Sequence, residues 1–93
     1  MKPQFITINI ATDGAIALGH SEALAGLLSA LVRADRQFCA MPLPAGCRAA
    51  LRVELLESGQ AMIASAGEVA GCFAKLATVF HSHQHAASVS ITE

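Results

Sequence analysis

Residues 51–80, LRVELLESGQAMIASAGEVAGCFAKLATVF, decide the predicted fold. Their first five residues alternate between apolar and charged side chains, which is the period of a half-buried strand. Gly59 then predicts a tight turn, because glycine accepts a positive φ without a Cβ clash. A second short strand is predicted to return over residues 61–64. The stretch therefore begins as a β-hairpin.

A helix is predicted directly after this hairpin. Ser65 and Glu68 have the S-x-x-E spacing of a capping box, in which each side chain accepts a backbone N–H of the first helical turn. Apolar residues then recur at helical spacing, at Val69, Cys72, Phe73, Leu76, Val79 and Phe80. One side of this helix is thus apolar and the other polar, and the whole stretch is a predicted ββα unit.

The first third of the chain predicts a second ββα unit. Ile6, Ile8 and Ile10 alternate with more polar residues, and Asp13-Gly14 is a strong hairpin-turn signal. Ser21 is placed to cap a helix that runs to about residue 36. A shift of 45 positions superposes residues 6–35 on residues 51–80 without a gap. Internal duplication and convergence on one amphipathic pattern both explain this match.

The segment between the two units, residues 37–47, is predicted to be a loop because it contains two prolines and a glycine. It also carries the large apolar residues Phe38, Met41 and Leu43. We expect these to cover an edge of the core or to contact another chain, with the first arrangement favoured by the usual size of apolar patches on monomers.

Residues 86–92 alternate between apolar and hydroxyl side chains and predict a terminal fifth strand. The order ββαββαβ makes residues 1–93 a single α+β domain. We expect a two-layer sandwich, with a largely antiparallel five-stranded sheet and both helices on one face. The open sheet face would include Phe5, Arg52 and Met62, which are candidate partner-binding residues together with the apolar residues of the loop.

Composition excludes several classes of protein. The formal net charge is −1, from six basic and seven acidic residues, so no strong field would attract nucleic acid. No apolar run approaches the roughly 18 residues of a membrane-spanning helix, and the N-terminus lacks the apolar core of a signal peptide. We therefore expect a cytoplasmic protein. We also expect reduced cysteines, because three is an odd number and they lack C-x-x-C spacing.

The histidines suggest one candidate metal site. On an extended strand, His81, His83 and His85 would project from one side, a spacing that can converge on Zn²⁺ or Ni²⁺. His20 is the first candidate for a fourth ligand. The alternative is that the second helix continues to about His83, where imidazoles interact favourably with the helix dipole. We favour this second interpretation, since H-x-H-x-H without a nearby carboxylate is a weak metal signature.

No residue pattern predicts catalysis. Cys72 lies on the apolar helix stripe and is expected to be buried and unreactive, whereas Cys39 and Cys47 are expected to be reachable and able to pair if oxidised. Serine-hydrolase and phosphate-loop motifs are absent from the sequence.

We therefore expect a non-catalytic protein-binding or regulatory module without a cofactor, acting as a homo-oligomer. Accessory subunits and inhibitors encoded by phages or mobile elements are analogues by size alone. A metal-responsive module that uses the three clustered histidines is the alternative.

Overall fold

The fold was obtained as a computed structural model, which describes residues 4–21 and 24–91, and side chains as far as Ser82. Its elements follow the order ββαβββα. In chain order they are β1 (Gln4–Ala11), β2 (Ile16–His20), α1 (Leu24–Arg33), β3 (Arg36–Ala40), β4 (Cys47–Leu55), β5 (Ala61–Gly67) and α2 (Ala70–Ile91). The five strands form one sheet with the spatial order β2-β1-β4-β5-β3. The predicted α+β class is confirmed. The sheet is mixed, however, because β3 pairs with β5 in parallel.

The two predicted hairpins share one turn geometry. Gly14 and Gly59 occupy equivalent positions and have φ values of 93° and 88°, which only glycine adopts without strain. The same two backbone hydrogen bonds close each turn, which is the pattern of a type I turn followed by a left-handed residue. These bonds run from Gly14 N to Ala11 O (2.9 Å), Ala11 N to Ala15 O (2.8 Å), Gly59 N to Leu56 O (3.0 Å) and Leu56 N to Gln60 O (2.8 Å).

A local two-fold axis relates the two hairpins. β1 and β4 lie side by side and run antiparallel, with Thr7 opposite Arg52, its equivalent after a shift of 45 residues. Ile6 and Ile8 lie opposite Val53 and Leu51, so each pairs with the equivalent of the other. The axis therefore passes through the Thr7–Arg52 pair. This geometry makes the two hairpins structurally equivalent; a shared origin by duplication stays a prediction.

The core lies between the central strands and the two helices. Ile8 is 0% exposed and Val53 is 1% exposed, and both face the helix layer with Leu51. Leu27, Leu28 and Leu31 of α1 and Cys72 of α2 complete the buried cluster. Both helices contact β1 and β4. The alternating strands thus bury the face that the sequence predicted. Most residues of the predicted helix stripes pack on the core, but Phe73 of α2 is exposed.

The loop predicted for residues 37–47 begins later than expected. Residues 36–40 form β3, and the irregular segment is confined to residues 41–46, where Pro42, Pro44 and Gly46 lie. Met41 N–H still donates to the Ser65 carbonyl at 3.0 Å, which extends the pairing with β5 by one residue. The edge strand therefore ends where the prolines begin.

The predicted terminal strand is wrong for this structure. Residues 86–91 belong to α2, which runs from Ala70 to Ile91, and residue 92 lies outside the described residues. Among the described residues, no helix is both long and apolar enough to cross a bilayer.

The predicted cap of the second helix is wrong. Ser65 lies within β5, opposite Leu51, and α2 begins at Ala70, with Phe73 N–H donating to Val69 O at 3.0 Å. Ser21 Oγ accepts the Phe5 N–H at 3.3 Å and so extends the β1–β2 pairing. Both serines therefore take part in strand pairing, although the local sequence pattern assigned them to helix caps. The predicted cap of the first helix involves residues 22 and 23, which lie outside the described residues. The first helix also ends at Arg33 and not at residue 36.

Candidate protein-binding surface

The structure divides the predicted partner-binding residues between the two faces of the sheet. Phe38 lies opposite Ile63 in the β3–β5 register, and therefore on the face that carries the helices. Phe5, Arg52 and Met62 lie on the other, open face. A partner that covers one group does not cover the other, so the two groups are two separate candidate surfaces.

The helix-bearing face has an apolar groove next to β3. We call it the β3 groove; its volume is about 180 Å³, and it lies between the end of α1, the side of α2 and the outer strands of the sheet. Its lining is apolar except for Arg36 at the rim, and includes Val32, Phe38, Val53, Ile63, Phe73 and Leu76. The groove exists because the helices pack over the central strands and leave the β3 end of the sheet uncovered.

Large apolar side chains at this groove are exposed to water. Phe38 is 68% exposed and Val32 is 60% exposed, and Phe73 is also exposed. We expected Phe38 to cover the core, and the structure instead leaves its ring beside the groove. Exposed apolar side chains that adjoin one another mark an interaction site more strongly than scattered ones do.

Within the part of the chain that the structure describes, one side of the β3 backbone pairs with no other strand. Asp35 C=O accepts the Ala61 N–H at 2.8 Å and Met41 N–H donates to Ser65 O, so the odd-numbered residues of this segment face β5. The polar backbone groups of Arg36, Phe38 and Ala40 must then point outward, because they alternate along a strand. β3 is an outer strand of the sheet, and such an edge is a template for another strand.

The other predicted loop residues lie beyond this edge. Leu43 is exposed in the irregular segment and does not line the β3 groove. Met41 is half-buried. Neither residue lines the groove.

The open face holds a compact polar and aromatic cluster. The Arg52 guanidinium lies 4.8 Å from the centroid of the Phe5 ring, and Arg52 Nη2 lies 3.4 Å from Glu54 Oε1. Met62 pairs with Glu54 across β4 and β5, which brings it into the same row. The side chains of this cluster are half-buried among themselves. The Phe5 ring and the Glu54 carboxylate both interact with the arginine. Neither Phe5 nor Met62 is among the exposed large apolar residues, whereas Phe38 and Val32 of the β3 groove are.

The extended backbone on which the histidine prediction was drawn is not observed, because residues 81–85 are helical. The helix also continues beyond His83, where the alternative interpretation ended it, to Ile91. His81 is exposed, and the side chains of His83 and His85 lie outside the described part. His20 Nδ1 lies 2.6 Å from the Ser21 carbonyl oxygen, so this side chain contacts the backbone at the end of β2. Among the side chains that the structure describes, no three metal-binding residues come together.

The three cysteines lie on three different elements of the fold. Cys39 is exposed on the edge strand, Cys47 is half-buried at the start of β4, and Cys72 is buried. Burial first, and then the charge of Cys47, raises the pKa of the Cys72 thiol, whose Sγ donates to Ile8 O at 3.6 Å. The prediction of a buried Cys72 is confirmed. Cys39 and Cys47 cannot pair without rearrangement, since β5 separates their strands and Cys39 lies level with Arg52, five residues along from Cys47.

Reasoning from the sequence missed Val32 and Phe73 as surface residues. Val32 lies beside the apolar stripe of α1 and Phe73 was placed inside the stripe of α2. Each helix has more large apolar residues than one apolar stripe can bury, and this excess could have indicated that Val32 and Phe73 lie at the surface. Comparisons with protein-family models, with curated proteins and with solved structures gave no match to this chain.

Proposed function

We propose that this chain is a non-catalytic protein-binding module, that its contact surface is the β3 edge with the β3 groove, and that it binds a second copy of itself. The observation that carries the proposal is the 68% exposure of Phe38 beside an apolar groove. A module of this kind suits an accessory or inhibitory role, in which covering a partner's surface is itself the activity.

Two kinds of interaction are available at this surface. The outward N–H and C=O groups of Arg36, Phe38 and Ala40 would pair with an added strand, which gives main-chain affinity. The groove would take an apolar side chain of that strand, which gives side-chain specificity. Burying a phenylalanine ring is worth about 2–3 kcal/mol, and aromatic residues in such pockets are frequent hot spots.

A second copy fits this edge without a charge conflict. If two β3 strands pair antiparallel about Phe38, the two-fold axis places Arg36 opposite Ala40 of the other copy. No like charges then face each other directly, and the two Phe38 rings lie side by side on the helix-bearing faces. The sheet would become continuous across the dimer, and the β3 edge of each copy would be protected from other strands.

The test is the mass in solution of the full chain and two variants, measured by light scattering over a range of concentrations. The unmodified chain is expected to have twice the mass of one chain. Phe38→Asp is expected to weaken the dimer by at least about 30-fold, because it places a carboxylate at a desolvated apolar contact. Leu43→Asp is the matched control, since Leu43 is also exposed but lies outside the groove, and it is expected to leave the dimer intact.

Three results would count against the proposal. A monomer at every concentration contradicts self-association. A dimer that survives Phe38→Asp places the contact elsewhere, and loss of the dimer in Leu43→Asp but not in Phe38→Asp places it on the irregular segment.

A further inference from the structure

A cleft lies between the two helices. We call it the helix cleft; its volume is about 460 Å³, which exceeds that of the β3 groove and falls within the range of small-molecule sites. Its described lining comes from the first half of α1 and from the middle of α2, and consists of Leu24, Ala25, Leu28, Lys75, Thr78, Val79 and Ser82. The cleft shares none of these residues with the β3 groove.

The helix cleft exists because both helices pack on the sheet with short side chains between them. Each helix contacts the same two central strands, β1 and β4. The lining includes Ala25 on α1 and Thr78 on α2, and side chains of this length cannot fill the space to the density of a protein interior. The cleft therefore reaches down to the core, where Leu28 is 1% exposed and where Leu24 and Val79 pack against the buried cluster.

The two walls of the helix cleft differ in polarity. The α1 wall is entirely apolar, whereas the α2 wall carries Lys75, Thr78 and Ser82 at spacings that place them on one side of the helix. Thr78 Oγ1 donates to Ala74 O at 3.0 Å, so its proton is engaged within the helix. Among the described residues of the lining, Lys75 is the only one that carries a charge, and it is half-buried.

We propose that the helix cleft binds one molecule of a fatty-acid-type carboxylate. The carboxylate would accept charge-assisted hydrogen bonds from Lys75 Nζ. The unbranched tail would lie along Leu24, Leu28 and Val79 and displace water from these side chains. Lys75 and Ser82 are seven residues apart, so the α2 wall is about 10 Å long and suits an extended chain.

The positive charge of Lys75 decides the class of head group. A cationic head group would face a like charge, and an uncharged one would forgo the charge-assisted hydrogen bond. The aliphatic walls decide the tail, because a polar tail would be desolvated there without hydrogen-bond partners. The inference does not depend on the proposed dimer, since the lining of the helix cleft is separate from that of the β3 groove.

Calorimetric titration of the full chain with octanoate tests the head group. Octan-1-ol is the matched ligand, because it has the same tail without the charge. Octanoate is expected to bind with a Kd at or below about 300 μM, and octan-1-ol at least about ten-fold more weakly. Lys75→Gln should weaken octanoate at least about ten-fold and octan-1-ol by less than about two-fold. Arg33→Gln is the matched control, since Arg33 is exposed and lies outside the lining, and it should leave both affinities unchanged.

A second pair of variants locates the tail. Ala25→Phe would fill the helix cleft with a ring and is expected to abolish the binding of octanoate. Ala77→Phe is the matched control, because Ala77 is an exposed residue of α2 that does not line the cleft. Thermal unfolding without ligand checks that both variants fold.

Four results would overturn the proposal. Octanoate with a Kd above about 1 mM for the unmodified chain would exclude a site of this kind. Equal affinity for octanoate and octan-1-ol would remove the carboxylate, and equal losses in Lys75→Gln and Arg33→Gln would show only a long-range charge effect. Unchanged binding in Ala25→Phe would place the ligand elsewhere, such as in the β3 groove.

Discussion

Replacing Gly67 with alanine tests the junction between β5 and α2. Gly67 has a φ of 72°, so a side chain there carries the cost of the left-handed region, about 1–2 kcal/mol. A Cβ atom would also overlap the Arg48 carbonyl oxygen and would lie 3.0 Å from the Arg48 carbonyl carbon and 3.2 Å from Ala49 Cα. These are backbone atoms of the central strand β4, and they cannot move away as the end of a flexible side chain would.

The same overlap would also weaken a backbone hydrogen bond between Glu68 and Arg48. Glu68 N–H donates to the same Arg48 carbonyl at 3.2 Å, and moving the strands apart would forfeit about 1 kcal/mol. Overpacking adds about 1–3 kcal/mol. The expected total for Gly67→Ala is about 3–6 kcal/mol, a large part of the roughly 5–14 kcal/mol expected for a domain of this length.

Gly59→Ala is the matched control. Gly59 has a φ of 88°, but a Cβ there would meet nothing within 4 Å. This variant is therefore expected to lose only the conformational cost of about 1–2 kcal/mol, or about 4–16 °C in Tm. Thermal unfolding followed by circular dichroism should show a loss for Gly67→Ala at least about twice as large, or no cooperative transition. Equal losses in the two variants would refute the close approach of β5 to Arg48.

Three further predictions concern packing and exposure. Leu28→Ala should cost about 2–5 kcal/mol in urea unfolding because Leu28 is buried, whereas Val32→Ala on the same helix should change stability by less than about 0.5 kcal/mol. Gly26→Ala should stabilise the domain by about 0.5–1 kcal/mol, since Gly26 is an exposed helical position where an added Cβ would meet nothing within 4 Å. An alkylating reagent followed by mass spectrometry should modify Cys39 first and Cys72 only on unfolding; rapid labelling of native Cys72 would contradict its burial.

The parts of the fold that the sequence predicted are those with local causes. The turns at Gly14 and Gly59 depend on one residue that accepts a positive φ, and both form as expected. The alternation of Ile6 and Ile8 depends only on the strand period, and both are buried. Local chemistry of this kind does not depend on which elements become neighbours.

The missed parts depend on long-range pairing. The Ser65–Glu68 spacing is a valid helix signal, but Ser65 pairs with Leu51 because β5 can extend along β4. β3 went unrecognised since two nearby prolines dominate its local pattern and its pairing partner lies over twenty residues away. The exposure of Phe38 follows from that pairing and from where the helices pack. The sequence therefore identified Phe38 as a candidate binding residue but did not predict the groove beside it.

Amide hydrogen exchange along β3, at low and at high protein concentration, tests the proposed binding surface most directly. The Phe38 and Ala40 amides point outward, while those of Gln37 and Cys39 face β5 and serve as the internal reference. If a second copy binds this edge, exchange at Phe38 and Ala40 should slow by at least about ten-fold as the mass doubles, with the reference amides little changed. Fast exchange at Phe38 and Ala40 at every concentration, whether or not the mass doubles, would contradict the proposal.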